Sequence, residues 1–126
     1  MQINFTLEVL PIPKGRPRMG RGFAYTPART RAYENELAYG IRDAYRGEPM
    51  LGALSLKVVF SLPRAKSQKR KYPSHQVGDL DNFLKAFCDA ANGILWEDDR
   101  QVIHVDAWKL FAVGTPSIQV SVQEIT

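Results

Sequence analysis

Between Leu54 and Leu62 the chain reads LSLKVVFSL, with apolar side chains at every second position: Leu54, Leu56, Val58, Phe60 and Leu62. Side chains of a strand alternate between the two faces of a sheet, so this pattern predicts a half-buried strand. The same alternation of Ile3, Phe5, Leu7 and Val9 in INFTLEV predicts an earlier one. Further strands are expected from about Val102 to Leu110 and from about Ile118 to Ile125, joined by the turn-forming VGTPS. Two intervening segments follow a helical period instead. Tyr33, Leu37, Ile41 and Tyr45 mark one face of a helix that Thr26 and Pro27 open and Gly47 and Pro49 close. A second helix, after Asp81, buries Phe83, Phe87 and Ala90 or Ala91 and stops at Asn92-Gly93. PIPKGRPRMGRG is too rich in proline and glycine to be regular. The order predicts an α+β fold: residues 1–126 form one domain, a mixed or largely antiparallel sheet covered by two main helices.

A chain of 126 residues with 44% hydrophobic content supports one cooperative core, burying roughly two thirds of its unfolded surface. It has no secretory h-region and no apolar run of about 18 residues, so a cytoplasmic protein without a membrane partner is expected. The single Cys88 cannot form an intramolecular disulfide; beside Phe87 it reads as a small buried hydrophobe, not a nucleophile. Net charge is +4 and the sequence pI about 9.4, which favours a polyanionic partner. The cations concentrate in two stretches, Lys14, Arg16, Arg18 and Arg21 in the early segment and Arg64, Lys66, Lys69, Arg70 and Lys71 in a second. Neither stretch has the periodicity of a buried element, so phosphate contact and simple solvation are both open.

The second basic stretch runs into GDLDNFLKAF, Gly78 to Phe87. Folding accounts for one aspartate there, because Asp81 before a helical run is a good N-cap; Asp79 is left over. If Asp79 to Asp81 enter the helix extended, both carboxylates project to one side while Leu80 turns to the core. Phosphodiester hydrolysis near neutral pH needs an activated water and a neutralised transition state, and carboxylate-held Mg²⁺ supplies both. Glu97, Asp98 and Asp99 follow the helix, where a turn would return them to the same site. Lys85 lies four residues after Asp81 and four before Asp89, as an exposed ion-pair ladder or as a cation for developing phosphate charge. Pattern alone leaves a capped turn and a metal site equally open.

GDLDNFLKAFCDAANGILWEDDRQV, Gly78 to Val102, resembles the signature of the RusA-like Holliday junction resolvases, in which a D-L-D-N-x-x-K helix precedes a W-x-D-D-x-Q-V/I turn. KGRPRMGRGFAYTPARTRAYENEL, Lys14 to Leu37, resembles the N-terminal segment of phage-type members. The resemblance implies a homodimeric, Mg²⁺-dependent endodeoxyribonuclease, with Mn²⁺ as an alternative ion, that cuts four-way DNA junctions by paired incisions in recombination and repair. By position, Asp79, Asp81 and Asp99 match the family's catalytic, metal-binding aspartates and Lys85 its catalytic lysine. Asp98 is a further metal candidate, Glu97 departs from the pattern, and Asp89 matches an acidic position with a supporting role. The basic residues of both stretches would hold DNA arms. Flaps, forks or replication branches are the alternative substrates; a DNA-binding protein with structural carboxylates is the alternative class.

His75 and His104 lack the spacing and cysteine partners of a zinc site and read as structural or rim residues. Trp96 and Trp108 are expected in the core. Tyr25, beside the basic segment, is open between a nucleic-acid contact and a staple at the helix start.

Overall fold

The computed structural model describes residues 1–15, 18–20, 23–25, 28–74 and 77–126. Its elements are β1 (Gln2–Leu7), β2 (Arg18–Gly20), β3 (Phe23–Tyr25), α1 (Ala28–Ala44), β4 (Leu54–Leu62), α2 (Leu80–Ala91), a 3₁₀ turn (Asp99–Gln101), β5 (Val102–Phe111) and β6 (Ser117–Glu124). The fold is α+β, a four-stranded mixed sheet in the order β1-β6-β4-β5 with two main helices.

The alternation in β4 sends Leu54, Leu56, Val58, Phe60 and Leu62 to one face, where all five are buried. Antiparallel pairing sets Val58 against Val120 and Phe60 against Ile118, so β6 adds Ile118, Val120 and Val122 to the same layer. Leu37 and Ile41 of α1 and Phe83 and Phe87 of α2 close over it. Phe60 and Phe83 meet with ring centroids 5.6 Å apart and planes tilted by 37°. Asn4, Thr6, Lys57, Gln119 and Ser121 line an open depression on the opposite, polar face.

β4 and β5 pair in parallel, which requires a long crossover instead of a hairpin. α2 provides it. Its entrance is tied to β5 by the Lys109 ammonium, which donates to the carbonyls of Gly78 (2.8 Å) and Ser74 (3.1 Å). The helix ends at Asn92 and Gly93, as their sequence predicts; Gly93 takes φ +82° and donates its amide to the Trp96 carbonyl at 2.7 Å. Thr26 and Pro27, expected to open α1, lie outside the described residues.

Two expectations are corrected. The segment read as irregular contains β2, which pairs with β3 from Arg18↔Tyr25 to Gly20↔Phe23. Three-residue strands are too short to display a period, and their pairing is invisible in composition. Trp108 is not core but 53% exposed, its indole donating to Asp106 Oδ1 at 2.7 Å. The parallel register sets Ala107 beside Val58 on the helix-covered face, so Trp108 falls on the open one.

Trp96 is fully buried, as expected, and donates through Nε1 to Asn92 Oδ1 at 2.7 Å. Trp96→Ala should therefore cost about 3–5 kcal/mol, the usual cost of emptying a large aromatic site. Chemical denaturation would measure it, and a loss below about 1 kcal/mol would show that the connection after α2 collapses freely into the space.

Candidate active site

Helix α2 begins earlier than the spacing suggested. Asp79, not Asp81, is the N-cap, with φ −80° and ψ 143°. Its carbonyl accepts from the amides of Asn82 (3.0 Å) and Phe83 (3.3 Å), so Leu80 and Asp81 are already helical. Strand alternation therefore does not set the two carboxylates side by side, although Leu80 does pack against the core. The early start depends on Gly78, whose φ of +114° disfavours any side chain. A Cβ there would also sit 2.8 Å from Pro13 Cγ. The Asp79 side chain makes no cap bond. Among the described residues, neither the Asp79 nor the Asp81 side chain has a hydrogen-bond or ion-pair partner.

The second acidic group is organised differently. Asp98 caps the 3₁₀ turn, accepting from the Arg100 amide at 2.9 Å. Gln101 completes a capping box, its Oε1 accepting from the amides of Glu97 (2.9 Å) and Asp98 (3.1 Å). Its Nε2 donates to the carbonyls of Met50 (2.9 Å) and Gly52 (3.1 Å). Gln101 thus pins the acidic turn to the chain entering β4. Sequence reasoning did not single it out, although a glutamine three residues after a capping aspartate is the signal that finds it. Asp98 is occupied as a cap. The Asp99 side chain has no hydrogen-bond or ion-pair partner among the described residues, although its carbonyl accepts from the Val102 amide, and Glu97 is exposed.

Asp81, Lys85 and Asp89 follow one stripe of α2, but the ladder is half formed: Lys85 lies 3.9 Å from Asp89, and no ion pair joins it to Asp81. Asp99 is placed through Cys88. That thiol is pushed up to about 12, first by burial, then by the charges of Asp99 and Asp89, with Lys85 opposing. Asp99 and Lys85 therefore both lie near Cys88 in the third turn of α2, while Asp81 stands about 10 Å back along the axis from Cys88. The acidic groups are strung along one side of the helix. Among the described residues, no three His, Cys, Asp or Glu side chains lie close enough to hold a metal ion. In donor chemistry, partnerless carboxylate oxygens suit a hard cation such as Mg²⁺.

Of the basic residues, Lys14 is corrected. Instead of reaching outward, its half-buried ammonium sits between Glu34 (2.7 Å) and Asp89 (2.6 Å). Burial by itself would lower its pKa, but the hydrogen bonds and charges of Asp89 and Glu34 outweigh that and hold it above the ordinary 10.5. The contribution to stability is thus full below 10.5 and is lost only as pH rises through the raised value. Arg16 and Arg21 lie outside the described residues, and Arg18 is described by its backbone in β2. Lys66, Lys69, Arg70 and Lys71 are exposed. Arg64, also exposed, lies 4.3 Å over the Phe111 ring and donates to the carbonyls of Gln68 (3.1 Å) and Lys71 (3.4 Å), folding the basic loop into a platform. His104 Nδ1 meets Ser55 Oγ at 2.9 Å on the open sheet face; His75 lies outside the described residues.

A family model described as "Endodeoxyribonuclease RusA" matches residues 8–123. The chain is also 27% identical, over 140 aligned residues, to "Uncharacterized protein YqaN" of Bacillus subtilis (strain 168), covering 98% of this chain and 97% of that protein. No helix among the described residues is long and apolar enough to cross a membrane.

With its pKa near 12, Cys88 should resist alkylation at neutral pH despite its partial exposure. Iodoacetamide labelling followed by mass spectrometry should show little modification near pH 7 and a rise only as the thiol ionises in strong alkali. Labelling of the folded protein at the rate of a free thiol would contradict the burial of Cys88 and, after it, the placement of Asp99 and Asp89 around it.

Proposed function

Because the chain belongs to the RusA family of endodeoxyribonucleases, we propose that it is a Mg²⁺-dependent, structure-selective nuclease that resolves four-way DNA junctions as a homodimer in recombination and repair. The observation that carries this reading is the division of labour among the aspartates. Asp98 is used as a cap, while Asp79, Asp81 and Asp99 hold charge without a partner among the described residues. Leaving carboxylates unpaired along one helix contributes little to folding and suits the binding of a cation.

By their positions in the family's motif, Asp79, Asp81 and Asp99 are the residues that would hold the ion, with Mn²⁺ as a second candidate, and they would have to draw together to do so, since no three such side chains among the described residues are close enough here. When bound, it supplies neutralisation of the phosphate and activation of water. Lys85 stands one turn inside the site with its ammonium largely in solvent; it meets the negative charge that develops on the phosphate oxygens. Lys66, Lys69, Arg70 and Lys71, with Arg16, Arg18 and Arg21 from the early segment, contact phosphates of the arms and orient the junction without reading its sequence. The fold of the loop supports this reading, because Arg64 braces it and leaves its neighbours projecting. A two-fold dimer matches the approximate symmetry of a four-way junction and sets one site on each strand to be cut. Its presence in the cytoplasm belongs to the same proposal.

On a synthetic four-way junction, cleavage should require Mg²⁺ and exceed that of a linear duplex. Asp99→Asn should lower the rate by more than the roughly 10- to 100-fold typical of residues that only support a metal ligand. Asp98→Asn should stay within a few-fold of the parent protein, since asparagine caps as well as aspartate. Equal losses would move Asp98 into the metal set. Preference for flaps or forks over the junction would redirect the substrate, and binding without any cleavage would leave a DNA-binding protein.

Replacing two of Lys66, Lys69, Arg70 and Lys71 by glutamine should weaken junction affinity. The slope of log affinity against log salt should flatten by about one unit per lost contact. An unchanged slope, measured by fluorescence anisotropy across a salt series, would return this loop to simple solvation.

A further inference from the structure

Two ammonium groups approach one oxygen of Asp89. Lys14 Nζ lies 2.6 Å from Asp89 Oδ2, whereas Lys85 Nζ lies 3.9 Å from the same atom. The first is a charge-assisted hydrogen bond; the second is too long to be one. Lys14 is the better-held competitor. Its backbone amide donates to the Asn82 carbonyl of α2 at 2.9 Å, and its ammonium also binds Glu34 of α1 at 2.7 Å. The Lys14 side chain is 15% exposed and that of Lys85 62%, so attraction to Asp89 is screened for Lys85 and much less so for Lys14. The ordering of Lys85 before Asp89 along the helix is also the weaker of the two i, i+4 arrangements.

We propose that Lys14 is a positioning residue for Lys85: by neutralising Asp89 from inside, it keeps the Lys85 ammonium from closing on Asp89 and leaves it free to turn toward Asp81 and the scissile phosphate. This rests on the reading of Lys85 as the residue that meets phosphate charge. Without Lys14, Asp89 loses its nearest counter-ion and Lys85 becomes the cation best placed to replace it. Lys85 would then have to break an ion pair in every turnover. Glu34 holds Lys14 in place, and among the described residues the ion pair of Lys85 is with Asp89, not with Glu34.

The test uses the full chain, a four-way junction and Mg²⁺, with junction affinity measured separately in Ca²⁺. Lys14→Met should lower kcat on the order of tenfold, the low end for a positioning partner, with KM and affinity unchanged. Adding Asp89→Asn to that variant should restore kcat to within about threefold, because the trap for Lys85 is gone. Lys14→Arg should stay active. Glu34→Gln should lower the thermal midpoint without lowering kcat. Should Lys14→Met not fold, Lys14→Gln takes its place. A metal-free readout accompanies these: acetylation of Lys85 by acetic anhydride, read by mass spectrometry, should slow several-fold in Lys14→Met and recover in the double variant.

Unchanged kcat in Lys14→Met, failure of Asp89→Asn to restore it, or unaltered Lys85 acetylation would each overturn the proposal. Weaker binding with a flatter salt slope would do so too, by making Lys14 a DNA contact. If the parent protein cuts no branched DNA, or Lys85→Met is fully active, the proposed function fails instead, and the acetylation result still decides whether Lys14 keeps Lys85 from Asp89.

Discussion

Parallel strands cannot be joined by a tight turn, and the parallel pairing of β4 with β5 is the constraint from which the rest of this molecule follows. The chain leaving β4 must travel the length of the sheet before it re-enters beside its starting point. That path contains the basic platform, the entrance at Gly78, helix α2 and the acidic turn. Residues far apart in sequence thereby come to share one side of one helix. The interior energetics serve the same path: Phe83, Phe87, Ala90 and Ala91 bury one face of α2, and the opposite stripe is left for charge.

Charge is handled in two ways around this helix. Toward the interior, Lys14, Glu34 and Asp89 satisfy one another across α1, α2 and the early segment, because an unpaired charge there would carry a desolvation cost. At the start of α2, Asp79 and Asp81 are exposed and sit at the positive end of the helix dipole, so folding requires no ion pair beside them. The half-buried charges are paired, whereas the exposed ones at the start of α2 are not. The Asp99 side chain is likewise unpaired among the described residues, even though its neighbour Asp98 is used as a cap.

Periodic burial was legible in the sequence. The strand from Leu54 to Leu62 and the buried faces of both helices follow directly from spacing, because one-sided packing imprints its period on the chain. What spacing could not convey was anything decided across the fold. Trp108 faces outward because of the register that β5 adopts beside β4. Lys14 turns inward because two acids from different helices meet there. The helix start moved to Asp79 because Gly78 permits a backbone turn that capping statistics do not register. The clustered aspartates of the candidate site were visible in the sequence, but the Arg100 amide that occupies Asp98 and the hold of Gln101 on the carbonyls of Met50 and Gly52 appear only in the fold.

Gly78 also separates what can be altered in this scaffold from what cannot. On one side of it lies an exposed basic loop, anchored by the Arg64 stack on Phe111 and by the reach of Lys109 to the Ser74 and Gly78 carbonyls. On the other lies a helix whose start is set by backbone geometry and by contact with Pro13. The loop between these fixed points is a natural site for grafting. Its length and charge are separated from the start of α2 by the Gly78 turn and its contact with Pro13.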